Sequence, residues 1–306
     1  DRAREIRDNF SDNIRASIDE PQASLGIGYL VGQRSTLPPT LEESLRIVGL
    51  THIVVASGYN LTILVRFARR LFAPISKYLA LLSGSTMIAG FIFVTGLSPS
   101  MTRAGLVSGI SLATWYYGRN VHPLVLLPLV AAMTVMINPS FMWGDLGWYL
   151  SFAAFAGVML LAPLLQNYFF GPKKPGTLRQ IVGETISAQL ATMPIIAFSF
   201  GTMAVYALPA NLLVLPFVPI AMALVFMTGL TATFLPVVSV LFSYPSQILL
   251  GYMTSVVQLF VNLPNASVGI SIGALGLITS YLVLMGLAIF LQLKTKHNFR
   301  NDNLVE

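Results

Sequence analysis

A few polar residues interrupt long apolar stretches of this sequence, and their types and spacing could support chemistry. They are His52, Ser57, Asn60, Arg103, Asp145, Ser151, Glu184, Gln189 and Asn211. A charged side chain at the centre of a bilayer costs on the order of 3 kcal/mol, so each of these residues is a candidate for function if the stretches cross a membrane. Together they offer hydrogen-bond donors, acceptors and charge, which is the chemistry of a wet path for a polar solute.

The composition supports the membrane premise. The 306-residue chain is 55% hydrophobic and 10% charged, whereas soluble proteins carry about 25% charged residues. These values exclude an ordinary soluble protein and predict an integral membrane protein. The sequence has no cysteine, which excludes disulfides, thiolate metal sites and a cysteine nucleophile.

Charge is distributed unevenly and defines three predicted regions. Residues 1–46 carry six basic and eight acidic side chains, residues 47–293 carry nine and two, and residues 294–306 carry three and two. We therefore predict an external N-terminal segment (1–46), a membrane domain (47–293) and a cytoplasmic tail (294–306). Because the chain begins with Asp1 rather than methionine, we interpret it as a piece whose upstream part is missing.

The apolar stretches predict an all-α, polytopic bundle of about nine transmembrane helices, some of them short or broken. The predicted spans are 52–65, 79–97, 103–117, 122–137, 146–165, 183–200, 205–234, 238–262 and 270–293. The seventh contains Pro209, Pro216 and Pro219, so it cannot be one straight helix. Two interpretations stay open: a broken helix at a transport site, or a proline kink in a packed helix.

Basic residues predict the orientation of the bundle. Eleven of the twelve basic residues after position 47 fall in loops on one side, which the positive-inside rule assigns to the cytoplasm. Odd-numbered spans then run inward and the C-terminus lies inside. Residues 2–18 alternate apolar and charged positions at helical spacing, which predicts a helix lying along the outer membrane face.

In this topology His52, Arg103 and Asp145 all lie at the outer ends of inward-running spans. An Arg103–Asp145 ion pair at the mouth of a polar cavity is therefore one expectation. The alternative is that the two charges reach interfacial water separately.

Four ordered segments resemble motifs of the ComEC competence proteins. They are VGLTHIVVASGYNLTILV (48–65), GLSPSMTRAGLVSGI (96–110), NPSFMWGDLGWYLSFAAFAGVMLLAPLL (138–165) and SAQLATMPIIAFSFGTMAVYALPANLLVLPFVP (187–219). The matching positions include His52, Ser57, Arg103, Asp145, Ser151, Gln189 and Asn211. Two departures stand out: Asn60 replaces the histidine of many relatives, and Trp148-Tyr149 replaces their Phe-Gln. The first departure favours hydrogen bonding over proton or metal chemistry at that site.

The resemblance implies a channel that carries single-stranded DNA across the bacterial cytoplasmic membrane during natural transformation. Because the scarce polar residues coincide with the four segments, we predict that the channel is lined by His52, Ser57, Asn60, Arg103, Asp145, Ser151, Gln189 and Asn211. His52, Asn60, Arg103 and Asp145 are expected to form its outer vestibule. Family members often carry an external OB-type domain and a metallo-β-lactamase-like nuclease domain, and neither is found in this sequence. We expect no catalytic residue, metal or cofactor, because His52, His122 and His297 lie too far apart to form a metal cluster.

The expected partners are single-stranded DNA, membrane lipids, a separate ATP-driven motor, and a separate nuclease or external DNA receptor. No Walker sequence is present, so the driving energy is expected from a partner or from the proton gradient. A secondary transporter of a small solute, using the broken helix near Asn211, is the alternative function. An intramembrane serine protease built on Ser57 is disfavoured, because His52 is poorly phased to act as its base.

Overall fold

A computed structural model describes residues 2–31, 37–51, 58–95, 99–119, 122–171 and 176–297, and helices dominate these ranges. The α-helices are α1 (Arg2–Arg15), α2 (Gln22–Val31), α3 (Pro39–Val48), α4 (Gly58–Phe72), α5 (Lys77–Thr95), α6 (Pro99–Tyr116), α7 (Pro123–Ile137), α8 (Leu146–Ala156), α9 (Ala162–Phe170), α10 (Thr177–Phe200), α11 (Ala207–Val214), α12 (Val218–Phe234), α13 (Pro236–Val261) and α14 (Ala274–Thr295). Short 3-10 helices cover Pro139–Met142 and Leu215–Phe217, and a π-helical turn covers Gly157–Leu161. Strands β1 (Thr202–Ala204) and β2 (Ser267–Gly269) pair with each other. The all-α prediction is confirmed.

Five helical stretches among the described residues are long and apolar enough to cross a membrane. They are Leu146–Phe170, Arg179–Phe200, Ala207–Phe234, Pro236–Val261 and Ala274–Thr295. They correspond to the last five predicted spans. Lys77–Phe93 and Val125–Ile137 are apolar but shorter, and a straight crossing needs about 20 residues. The predicted count of nine spans is therefore not confirmed.

The chain divides into two compact units, each discontinuous in sequence. Unit 1 comprises residues 1–105 and 204–266, and unit 2 comprises residues 106–203 and 267–306. Unit 1 thus joins the predicted external segment to parts of the predicted membrane domain.

The α12–α13 helix pair forms the centre of unit 1. One face of α13 is buried at positions spaced three and four apart: Ser239, Ser243, Ser246, Leu250, Met253 and Val257. This spacing places them on one side of the helix. At Ser246 the hydroxyl lies 3.2 Å from that of Thr228 on α12, and both residues are completely buried. Each hydroxyl also bonds a carbonyl one turn earlier in its own helix, so neither buried group lacks a partner.

Helix α1 packs its apolar face on α12. Ile14 is fully buried, and the Phe10 ring centroid lies 6.1 Å from that of Phe226. Asn13 Nδ2 donates a 3.0 Å hydrogen bond to Thr233 Oγ1 at the end of α12. The predicted amphipathic helix is therefore present, but protein rather than lipid covers its apolar face.

Helix α2 lies inside unit 1, against both α12 and α13. A Cβ at Gly26 would lie 2.9 Å from a methyl of Val225 and 3.3 Å from one of Leu250, so only glycine permits this close approach. The Tyr29 hydroxyl lies 4.0 Å from Met253 Sδ, and burial raises the pKa of Tyr29. The space lined by Tyr29, Leu45, Val214 and Met253 leaves no room for a water molecule.

Unit 2 is built around α10. The run from α8 through the π turn to α9 packs along α10, and α14 contacts both α9 and α10. A second small core joins the later half of α6 to α7 and α8 through Leu126, Val130 and Phe152. Between α10 and α14, Tyr281 Oη donates a 2.8 Å hydrogen bond to the carbonyl of Ala191.

Candidate functional site

The structure describes most of the predicted path residues, in two separate groups. Arg103 and Asn211 belong to unit 1, and Asp145, Ser151 and Gln189 belong to unit 2. Asn60 lies in the first turn of α4. His52 and Ser57 lie outside the described residues, so their predicted roles stay predictions.

Unit 1 brings the beginning of the first motif block against the fourth. Gly49 follows α3 in the left-handed conformation, with φ of 77°. A Cβ at this position would lie 2.9 Å from Cβ of Ala207 and 3.0 Å from Cβ of Ala204. Both the backbone conformation and the contact require glycine. Two blocks that are about 150 residues apart in sequence therefore touch.

Asn211 lies one helical turn beyond Ala207 and is 4% exposed. Its Oδ1 atom has no hydrogen-bond partner among the described residues. The neighbouring core positions Ala210, Val214 and Val218 are apolar and buried. A buried amide oxygen without a partner costs on the order of 1–3 kcal/mol, and such a group in a native structure calls for an explanation.

The helix that carries Asn211 is interrupted, as its prolines predict. α11 ends at Val214, a 3-10 turn covers Leu215–Phe217, and α12 begins at Val218. The Leu215 amide still donates to the Asn211 carbonyl, so the chain stays helical across the interruption. The observed form is a kinked helical run rather than two helices separated by unwound chain.

Arg103 lies in the second turn of α6 and is partly buried. Its neighbours Met101 and Ala104 are 1% exposed. At Gly105 a Cβ would lie 2.7 Å from Cδ1 of Ile92 on α5, so this part of α6 sits directly against α5. The packing fixes the helix that carries the guanidinium in unit 1.

Asp145 caps the N-terminus of α8. Its Oδ1 accepts a 2.9 Å hydrogen bond from the Trp148 backbone amide. This is the usual role of an aspartate that precedes an apolar helix. The expected Arg103–Asp145 pair would join the two units, and it stays a prediction.

Trp148 has a hydrogen-bond partner that was not predicted from the sequence. Its Nε1 donates a 3.0 Å hydrogen bond to Thr134 Oγ1, and Thr134 is fully buried on α7. This bond ties α7 to α8 directly after the Asp145 cap. The available signal was that Thr134 is the polar residue in an otherwise apolar segment, VLLPLVAAMTVMI.

Ser151 and Gln189 lie on α8 and α10, which pack together. At Gly157, in the π turn that follows α8, a Cβ would clash with the Ser187 carbonyl and with Cβ of Ala191 on α10. Ser187 Oγ and Gln189 Oε1 are buried and have no partner among the described residues. Ser187 was not predicted, although it opens the fourth motif block.

The buried polar atoms without partners are concentrated in unit 2. In the described part of the chain they are the hydroxyls of Ser108, Ser111 and Ser187 and the Oε1 atoms of Gln189 and Gln292, with Asn211 Oδ1 in unit 1. By contrast, Glu184 accepts a 2.8 Å hydrogen bond from Gln180 one turn away. The unpaired groups are neutral, so they can offer hydrogen bonds to water or to a polar ligand without carrying charge.

The described ranges contain no cluster of three His, Cys, Asp or Glu side chains that could hold a metal ion.

Comparison with known proteins gives two matches. A family model described as "Competence protein" matches residues 29–295. The chain is 26% identical over 223 residues to "ComE operon protein 3" of Bacillus subtilis (strain 168), a match that covers 70% of this chain and 28% of that protein. This chain thus spans a little over a quarter of the length of the curated relative. No solved structure matches it.

Proposed function

This chain belongs to the competence protein family, and we propose that it forms a membrane channel for single-stranded DNA during natural transformation. The observation that carries the proposal is that the family match, residues 29–295, contains all of the scarce polar residues. Two of them, Gln189 and Asn211, carry buried oxygens without described partners.

A DNA strand is a polyanion, so its passage requires hydrogen-bond donors and water in place of acyl chains. Asn211 and Gln189 supply amide groups within two of the long apolar stretches. Arg103 supplies a positive charge on a helix fixed against α5. We assign His52, Ser57, Asn60, Asp145 and Ser151 to the same path on the resemblance of their motif blocks.

We place the chain in the bacterial cytoplasmic membrane, with the C-terminus inside. We assign no catalysis to it. A separate cytoplasmic motor supplies the energy, and a separate nuclease or external receptor delivers the strand.

One observation favours the transporter of a small solute as a second candidate. The helix interruption at Leu215–Phe217 directly follows the turn that carries Asn211, and transporters bind solutes at such interruptions. The hydrogen bond from the Leu215 amide to the Asn211 backbone carbonyl weakens this alternative, because a carbonyl that is bonded within the helix is not freed to bind a solute.

The test is uptake of labelled DNA by competent cells that carry Arg103→Ala or Asn211→Leu at normal protein abundance. We expect uptake to fall at least tenfold in both. Thr254→Val is the matched control, because Thr254 is 8% exposed in unit 1 and its hydroxyl already bonds the Gly251 carbonyl. Unchanged uptake in both test variants would remove these residues from the path, whatever the control shows.

A further inference from the structure

Three helix ends of unit 2 converge at one place. The last turn of α9 contacts the first turn of α10, where Arg179 Cζ lies 5.0 Å from the centroid of the Phe170 ring. It also contacts the end of α14, where the Tyr168 ring centroid lies 6.4 Å from that of Phe290. Beyond α14, His297 Nδ1 lies 3.4 Å from Nδ2 of Asn167.

In the part of the chain that the structure describes, this convergence carries an excess of positive charge. Arg179, Lys294 and Lys296 are all exposed there. Residues 162–171, 176–183 and 286–297 contain no aspartate or glutamate. Glu184, the next acidic residue along α10, accepts a hydrogen bond from the Gln180 side chain. The Phe170 ring holds the Arg179 guanidinium in place through a cation–π contact, which reduces the entropy lost when it binds an anion.

An apolar surface leads directly to these cations. In the most apolar 18-residue segment of α14, only 6% of the residues are buried, whereas 33–39% are buried in the corresponding segments of the other four long apolar stretches. Its outer face is formed by exposed side chains that include Leu282, Ile289 and Leu293. Leu293 immediately precedes Lys294, so hydrocarbon-facing and cationic surfaces meet within one turn.

We propose that this convergence binds an anionic phospholipid, with the acyl chains along the outer face of α14 and the phosphate beside Arg179, Lys294 and Lys296. A ligand that matches both surfaces must be apolar over most of its length and anionic at one end. An anionic phospholipid meets both requirements, whereas a nucleic-acid strand would leave the apolar face uncovered. The inference is independent of DNA transport.

The first experiment measures lipid retained by the purified full chain in native mass spectrometry, after exchange into mixed phosphatidylglycerol and phosphatidylcholine. We expect phosphatidylglycerol to be retained preferentially. The variant Arg179→Gln/Lys294→Gln/Lys296→Gln should lose that preference at least tenfold. The charge-conserving variant Arg179→Lys/Lys294→Arg/Lys296→Arg should keep it.

Unchanged retention in the neutralised variant would overturn the proposal, as would equal loss in the charge-conserving one. The same proteins are then titrated with a fluorescein-labelled oligothymidylate. If the oligonucleotide displaces phosphatidylglycerol and its affinity depends on the three cations, the surface is a nucleic-acid site and the proposal is wrong.

A second measurement avoids multiple substitutions. Leu293→Trp and Leu275→Trp place an indole at the two ends of α14, where the native side chains are 71% and 76% exposed. We expect phosphatidylglycerol brominated on its acyl chains to quench the indole at 293 more than brominated phosphatidylcholine does. At position 275 the two lipids should quench equally. Equal quenching at 293 would contradict the proposal.

Discussion

Gly157 shows how one residue can fix the approach of two membrane-length helices. A Cβ at this position would clash with the backbone carbonyl of Ser187, which cannot rotate away as a side chain can. The glycine therefore allows the run of α8 and α9 to lie directly against α10. Small residues serve the same purpose wherever membrane helices pack closely.

We expect Gly157→Ala to destabilise the protein by about 1–3 kcal/mol, the usual cost of overpacking a close contact. Gly109→Ala is the matched control, because Gly109 is also helical in unit 2 and a Cβ there would meet nothing within 4 Å. Removing a glycine from a helix stabilises it by about 0.5–1 kcal/mol, so the control should shift in the opposite direction. Thermal unfolding of the purified protein in detergent measures both shifts. A neutral Gly157→Ala would show that the helices can separate without cost.

For single residues, the sequence predicted which side chains are unusual better than it predicted what they do. Asp145 was interpreted as a path residue because acidic residues are scarce in the apolar region, yet in the structure its side chain caps the N-terminus of α8. Ser187 was missed because a helical serine usually bonds the carbonyl one turn earlier. Thr185 and Thr192 do so, whereas the Ser187 hydroxyl does not. Only the packing of α10 reveals that difference.

Among the elements, α7 and α8 are tied by a hydrogen bond between the side chains of Trp148 and Thr134. Trp148→Phe removes the indole N–H that donates to Thr134 Oγ1. The Thr134 hydroxyl keeps only its own bond, in which it donates to the Ala131 carbonyl. We expect a loss of about 1 kcal/mol, the typical net value of one hydrogen bond. Trp143→Phe is the control, since Trp143 is 82% exposed and its replacement should be neutral. Equal unfolding temperatures for the two variants would contradict a role for the bond.

Element boundaries were predictable where apolar length was the signal, and not where tertiary contact decides. The last five predicted spans match the five long apolar stretches. Helix α2 was not predicted, because its sequence QASLGIGYLV is too short to cross a bilayer and contains two glycines. Its conformation depends on burial against Val225 and Leu250, which lie about 200 residues away in the chain.

Across the whole molecule, the contacts of α1 constrain the topology. The predicted orientation places residues 1–46 outside and the turn between α12 and α13 inside. In the structure the Asn13 side chain donates a hydrogen bond to Thr233 in the last turn of α12, and Phe10 packs on Gly229 of the same helix. A helix cannot contact the last turns of α12 from the opposite face of a membrane. The predicted placement of the N-terminal segment and that of the turn therefore cannot both hold.

We expect residues 2–19 and the turn at 234–236 to lie on the same side of the membrane. The chain has no cysteine, so single cysteines can be introduced without altering native thiols. Asp12→Cys and Val237→Cys, at positions that are both well exposed, should react with a membrane-impermeant maleimide from the same side of sealed vesicles. Labelling from opposite sides would refute the expectation.

A cross-link supplies the control for that experiment. The double variant Asn13→Cys/Thr233→Cys should form a disulfide on mild oxidation, because the native side chains are in hydrogen-bond contact. The pair Asn13→Cys/Asn262→Cys, with Asn262 at the far end of α13, should not. A cross-link in the second pair alone would mean that α1 packs elsewhere.

The division into two units was also beyond sequence reasoning. Each unit combines two stretches that are separated in sequence, by about 100 residues in unit 1 and about 60 in unit 2, and hydropathy reports only on local runs. The contact of Gly49 with Ala204 and Ala207 illustrates the limit. The motif blocks were identified one by one, but nothing in their order showed that the first meets the fourth.

The π turn at Gly157–Leu161 affects any experiment that infers orientation from periodicity. A π turn inserts one extra residue into a helix, and each residue advances the direction of the side chains by about 100°. A helical wheel drawn without interruption from Leu146 to Phe170 would therefore rotate every position after Leu161 onto the wrong face. In a tryptophan or cysteine scan of this run, the periodic signal should break phase once, by a single position, between its two halves.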